Sequence, residues 1–155
     1  MRFHLIDRVD AYEPAKTIRA RKLTSLSEDY WEDQGGGLVM PLPFLLEALC
    51  QAGTWLIMAT TERRKRAALL SVGAVSFMGD VRPGDVLELL GSVESMNEEV
   101  AVLSGQVKVD GRVLMEAKDI MCALIGGGDL SDADTVERLQ KMLFRYAPDP
   151  AGAKP

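Results

Sequence analysis

The sequence predicts an α+β fold: an antiparallel sheet of about five strands wrapped around one long apolar helix, with an amphipathic helix added near the C-terminal end. Three observations predict it. Residues 38–61, LVMPLPFLLEALCQAGTWLIMATT, are apolar on nearly every helical face, and a helix with no solvent face has to be wrapped. From residue 67 onward the pattern turns into long β-branched-rich segments separated by turn signals. Those segments are joined too tightly for crossovers, so the sheet they form is antiparallel.

Taken in order, the chain opens with FHLIDRV, a short apolar piece ending in charge, then the turn-like Glu13-Pro14. Residues 16–23 alternate and read as the first strand. Residues 24–37 are polar and acidic and end in Gly35-Gly36-Gly37, a loop entering the helix. Glycines there let backbone approach a ligand, which makes Gly37 a candidate binding residue; a plain flexible connection fits the same residues. Pro41 and Pro43 stand where a missing donor costs a helix nothing. Glu47 and Gln51, four residues apart, project a carboxyl and an amide from one face of the helix, and burial of that carboxyl is expected. Arg63, Arg64, Lys65 and Arg66 close the helix where its dipole favours cations, and also offer a docking patch for an acidic partner.

Strands are expected at 69–81, 86–96, 100–109 and 112–125, with turns at Arg82-Pro83-Gly84-Asp85, Asn97-Glu98 and Asp110-Gly111. The last is a type I′ hairpin signal. Val136, Leu139, Met142, Leu143 and Tyr146 recur at helical spacing and predict an outer helix over 131–146. The chain thus divides into a main domain at 1–128, a helical extension at 129–147 and a flexible tail at 148–155.

Composition bounds the function. With 155 residues, 47% hydrophobic and 26% charged, the chain suits one soluble domain with a proper core. A net charge of −5 argues against nucleic acid as a partner. Charges every few residues in MRFHLIDRVD exclude a signal peptide, so the cytoplasm is expected. The 38–61 run nears bilayer length, yet Glu47, the prolines and the following cations make it a buried soluble helix, and no membrane association is expected. Cys50 and Cys122 read as small core residues; neither a metal nor a cofactor is expected. His4, the one histidine, reads as a surface or structural residue.

The order FHLIDRV, VMP followed by FLLEALCQAG, Phe77 to Asp85 ending in RPGD, VDGRV, and a last strand closing on MCALI resembles the FabZ-type 3-hydroxyacyl-acyl-carrier-protein dehydratases over residues 2–125. The resemblance implies a hot-dog fold and loss of water from a (3R)-3-hydroxyacyl thioester to give the trans-2-enoyl thioester. It implies an acyl carrier protein or coenzyme A thioester as partner and a homo-oligomer, either a dimer or a trimer of dimers. In the family a histidine in the loop before the helix and a glutamate on the helix act as base and acid, paired across a dimer interface. Glu47 matches the glutamate. Asp33 stands at the histidine position, and a carboxylate at its ordinary pKa is a poorer base than imidazole near neutral pH. Leu42 replaces the glycine after VMP; its N–H remains at the positive helix end. The oxyanion glycine of the next strand is matched by Ser71, with Gly73 two residues on; together with Leu42, Gly37 and Gln51 these are the candidate substrate-binding residues.

Three readings follow. One is a dehydratase using Glu47 with Asp33 in the histidine's place. Another is a hot-dog thioesterase running on a single carboxylate, Asp33 or Glu47. The third is a non-catalytic acyl-thioester-binding subunit of a heteromer whose histidine-bearing homologue completes the site.

Overall fold

A computed structural model describes residues 3–127 and 133–150. Its elements are β1 Arg8–Glu13, β2 Thr17–Leu23, β3 Glu32–Asp33, β4 Leu38–Val39, α1 Leu42–Thr60, β5 Lys65–Phe77, β6 Val86–Met96, β7 Val100–Val109, β8 Arg112–Gly126 and α2 Ala133–Leu143. Six strands pair antiparallel in the order β1-β2-β6-β7-β8-β5, and β3-β4 forms a separate two-stranded piece. The sheet curls around α1, as the pattern of the chain requires.

α1 starts at the two prolines and buries Leu45, Ala48, Leu49, Ala52, Leu56 and Ile57 against the inward residues of β6, β7 and β8, among them Leu89, Leu103, Val107 and Met115. Inward and outward residues alternate along these strands as a one-sided sheet demands. Asp110 and Gly111 both take positive φ, 49° and 77°, and join Val109 directly to Arg112, so the expected type I′ hairpin forms.

The sixth strand is β1, which the sequence reading leaves as an apolar piece before a turn. Its charges conceal it: Asp10 bridges to Arg21 at 2.8 Å and lies 2.7 Å from Arg8 Nε, off the hydrogen-bond direction, so the polar side of β1 is neutralised locally while Val9 is buried. β5 begins at Lys65, earlier than expected, and stops at Phe77. The chain reverses over Glu62 and Arg63, both at positive φ, so the last turn of α1 carries no cation and Lys65 and Arg66 belong to the strand. Of the four cations, Arg64 reaches the helix end, donating to the carbonyl of the C-cap residue Thr61.

α2 packs across the β1 side. Leu143 is buried, and Phe144 meets Tyr12 of β1 and Trp55 of α1 edge to face, with centroids 4.9 and 6.2 Å apart. The expected helix start at residue 131, the 128/129 boundary and the end of the tail at 151–155 lie outside the described residues.

Two local features generate predictions. Lys22, only 6% exposed, is held by Glu28 at 2.6 Å and Asp7 at 3.3 Å, which fastens the loop after β2 to the sheet. Burial alone would raise the Glu28 carboxyl, but hydrogen bonds from Lys22, the Tyr30 hydroxyl and the Ser25 N–H, with the Lys22 charge, outweigh it and hold it below the usual range. A lowered folded pKa contributes stability at pH values above the ordinary glutamate range, and that contribution is lost as pH falls through the lowered value. Glu28→Gln is expected to cost about 1–3 kcal/mol at neutral pH, with the gap from wild type closing on acidification, as thermal unfolding against pH will show.

Gly73 pairs opposite Asp119, which has φ of 53°, and a Cβ at Gly73 would stand 2.7 Å from the Asp119 Cβ. Gly73→Ala is expected to destabilise by about 1–3 kcal/mol and to recover in the double variant with Asp119→Gly, measured by denaturant unfolding.

Candidate functional site

Glu47 lies on the flank of α1 that the sheet leaves open, beside the edge strand β5. The burial expected for it is not supplied by this chain: Glu47 is exposed, because wrapping covers the opposite face of the helix. Its orientation is nonetheless fixed. Gln51, one turn on, donates to Glu47 Oε1 at 2.9 Å and to the Phe3 carbonyl at 3.1 Å, while its Oε1 accepts the Leu5 N–H at 2.8 Å. The amide thus pins the N-terminal segment onto α1 and aims the carboxylate, and all three bonds are made within the chain. Gln51 positions Glu47.

Between α1 and β5 runs a crevice of about 190 Å³ lined by Glu47, Cys50, Gln51, Thr54, Ala67, Leu69 and Cys122. At Cys50, Thr54 and Cys122 it adjoins a small, almost wholly apolar cavity of about 20 Å³ between α1 and the sheet, lined also by Leu49, Gly53, Leu103 and Ile120 and too small for more than about a methyl-sized group. The crevice itself puts the Glu47 carboxyl beside the apolar side chains of Ala67 and Leu69, a setting for a ligand with a polar reacting end and an apolar flank. Burial, the Glu47 charge and Cys122 push the Cys50 thiol up to about 12, so it holds its proton at neutral pH and is no nucleophile. That agrees with its reading as a small core residue.

The remaining predicted residues are distributed around this crevice without entering it. Asp33 is exposed on β3, where its Oδ1 accepts the Gly35 N–H at 2.9 Å; within one chain it does not line the crevice with Glu47. Gly37, at φ 105°, is pressed by Arg82, whose Nη1 lies 3.0 Å from where a Cβ would be and donates to the Gly36 carbonyl at 2.9 Å. Its local work is to close the loop under Arg82. Leu42 is the first residue of α1, partly exposed, at an N-terminus with no side-chain cap and no acidic residue in the first turn, which leaves its N–H available. Ser71 follows a bulge at Leu70 that turns its side chain to the outer face opposite Met121, and Gly73 makes room for Asp119. Neither lines the crevice. His4 is exposed, between the two residues that bind Gln51.

Among the cations, Arg63 donates to Gln140 of α2 at 3.2 Å and Arg64 to the Thr61 carbonyl at 3.0 Å. Lys65 shares its strand face with Ala67 and Leu69, which places it about 13 Å along the crevice from Leu69. Sequence reasoning missed Phe3 and Leu5, whose contribution is made by backbone, and Thr54, Ala67 and Leu69, which only the α1–β5 packing identifies. The four-residue spacing of Glu47 and Gln51 was the signal that pointed to this face.

The FabA-like domain model matches residues 1–118. The 3-hydroxyacyl-[acyl-carrier-protein] dehydratase FabZ of Latilactobacillus sakei subsp. sakei (strain 23K) is 34% identical over 109 residues, 69% of this chain and 78% of that protein. The FabZ of a Nitratiruptor species is 33% identical over 124 residues, 75% of this chain and 84% of that one. Among solved structures, the dehydratase heterocomplex ApeI:P from Xenorhabdus doucetiae superposes with a TM-score of 0.61 at 19% identity, covering 87% of this chain and 88% of that one. The acetyl-CoA-bound smu.793 protein of Streptococcus mutans UA159 does so with a TM-score of 0.64 at 13% identity, covering 81% and 94%. The structural likenesses show the shared hot-dog fold, and the sequence matches carry the assignment further: the chain belongs to the FabA-like, FabZ-type dehydratase family.

Proposed function

We propose that this chain binds a (3R)-3-hydroxyacyl thioester, on an acyl carrier protein or coenzyme A, and dehydrates it with Glu47 as the acid. The observation that carries the proposal is a carboxyl aimed by Gln51 in a crevice between α1 and β5 that is otherwise lined largely by apolar side chains. The acyl chain runs along this crevice and places C3 at Glu47. A base takes the C2 proton, the electron pair forms the C2–C3 double bond, and the C3 hydroxyl leaves with the Glu47 proton as water. The Leu42 N–H at the uncapped helix end is the donor for the thioester oxygen as it gains charge. The exposed Glu47 flank has to be covered to keep bulk water from the reacting atoms, a setting the single chain does not provide.

A partner supplies that setting. β5 is a 13-residue edge strand with Leu69, Leu70 and Phe77 exposed and no charge after Arg66, an open template for pairing with a second subunit. Such pairing covers the Glu47 flank and brings in the second catalytic group, Asp33 in a homodimer or the histidine of a homologue in a heteromer. The heteromeric reading is favoured by the aspartate that stands at the histidine position, and one fold neighbour is itself a dehydratase heterocomplex. The reaction belongs to fatty-acid or polyketide-type metabolism in the cytoplasm. A thioesterase is the reading that free-thiol release would select.

The test is an assay of purified protein with a 3-hydroxyacyl thioester, reading enoyl absorbance and free thiol together. Glu47→Gln is expected to lower enoyl formation by about 10²–10⁴-fold with the fold intact. Asp33→Asn matches that loss in a homomeric enzyme. It leaves the rate unchanged if activity arises only on mixing with a histidine-bearing homologue. Thiol release without enoyl product would replace the dehydratase by a thioesterase.

The cations make a second prediction. Lys65 and Arg66 open β5, the strand whose Ala67 and Leu69 line the crevice, and are suited to steering an acidic carrier. Lys65→Glu with Arg66→Glu is expected to weaken carrier binding several-fold at low salt and much less at high salt, measured by titration calorimetry. Binding unchanged at low salt would remove the patch from the docking surface.

A further inference from the structure

The sheet has two edges, β1 and β5, and the chain treats them differently. β5 is long, uncharged after Arg66 and, among the described residues, pairs with β8 alone. β1 is met by the end of α2 and the residues just after it, which lie beyond the 1–118 stretch matched by the family model. The cover is built from side chains. Phe144 bridges Tyr12 and Trp55, Arg8 lies over the Tyr146 ring at 4.6 Å from its centroid, and Leu143 is buried beneath. A further tie, Arg63 to Gln140, fastens the helix to the turn after α1. Among the described residues β1 pairs with β2 alone, so no third strand takes up its outer backbone groups, and the rings of Phe144 and Tyr146 stand at that edge on Tyr12 and Arg8.

We infer that α2, with the residues that follow it, is an intramolecular edge cap, which holds the β1 edge closed against a second copy of this chain and restricts strand pairing between copies to the β5 side. A subunit with two open antiparallel edges can pair at both and grow without closing, whereas one with a single open edge stops at a closed pair. The inference concerns the opposite edge from the crevice and stands whichever reaction Glu47 carries out.

The experiment detaches α2 while keeping the whole chain: Leu143→Ser with Phe144→Ser, followed by light scattering after size-exclusion chromatography over a range of concentrations. Loss of the Trp55–Phe144 contact, seen as a change in tryptophan emission, reports detachment, and far-UV circular dichroism reports the fold. The expected result is a mass at least about double that of wild type that keeps rising with concentration. Adding Ala11→Lys, a charge on the β1 edge, is expected to return the wild-type mass with α2 still detached. General misfolding would not be rescued by that lysine. A detached, folded variant that keeps the wild-type mass overturns the inference, and so does growth that Ala11→Lys leaves in place.

Discussion

Everything in this fold answers to one constraint: α1 carries more apolar surface than a single curved sheet can cover. The inner faces of β6, β7 and β8 take the side bearing Leu45, Leu49, Ala52 and Leu56. α2 takes the flank at Trp55, and the N-terminal segment, with Phe3 on Phe44 at 4.9 Å, takes the end at the helix start. What remains is the strip along β5, with Glu47, Cys50, Gln51 and Thr54. The candidate functional surface is the part of the central helix that the described residues leave uncovered.

That division explains which parts of the molecule were legible in the sequence. The apolar run, the Asp110-Gly111 hairpin and the alternating strands depend on local periodicity and turn chemistry, and all of them formed as the residues indicate. β1 was hidden because Asp10 reads as a loop residue until Arg21 is known to lie across from it. Glu47 and Gln51 were found as a pair from their spacing alone. Their relation was not, since nothing in the sequence says that Gln51 spends its amide on Phe3 and Leu5. Burial of Glu47 was expected because the helix looked greasy all round, but hydrophobicity counts apolar faces without saying which one a partner will take. Gly73 looked like a backbone donor by family position; the structure gives it a packing role set by Asp119, a residue 46 positions away that no local pattern connects to it.

The chemistry shows a similar split between what is retained and what is moved. Glu47 stands where the resemblance puts the family's glutamate, and Gln51 aims it along the crevice beside β5. The basic partner does not survive as an imidazole, and Asp33 is engaged with its own loop through Gly35. A carboxylate pair differs from a histidine–glutamate pair in kind, because two acids of similar strength need their environments pushed apart before one can give a proton while the other takes one. In this chain, the surroundings that would separate them belong to whatever closes over β5.

The hydrogen bonds of Gln51 have a practical bearing on how the protein can be handled. Because the amide that aims Glu47 also grips Phe3 and Leu5, the opening residues of the chain are mechanically part of the site. A fusion or affinity handle placed ahead of residue 3 pulls on the same three bonds that set the carboxylate, whereas one attached beyond α2 pulls on the opposite flank. Preparations that differ only in which end carries the handle are therefore different preparations of the crevice.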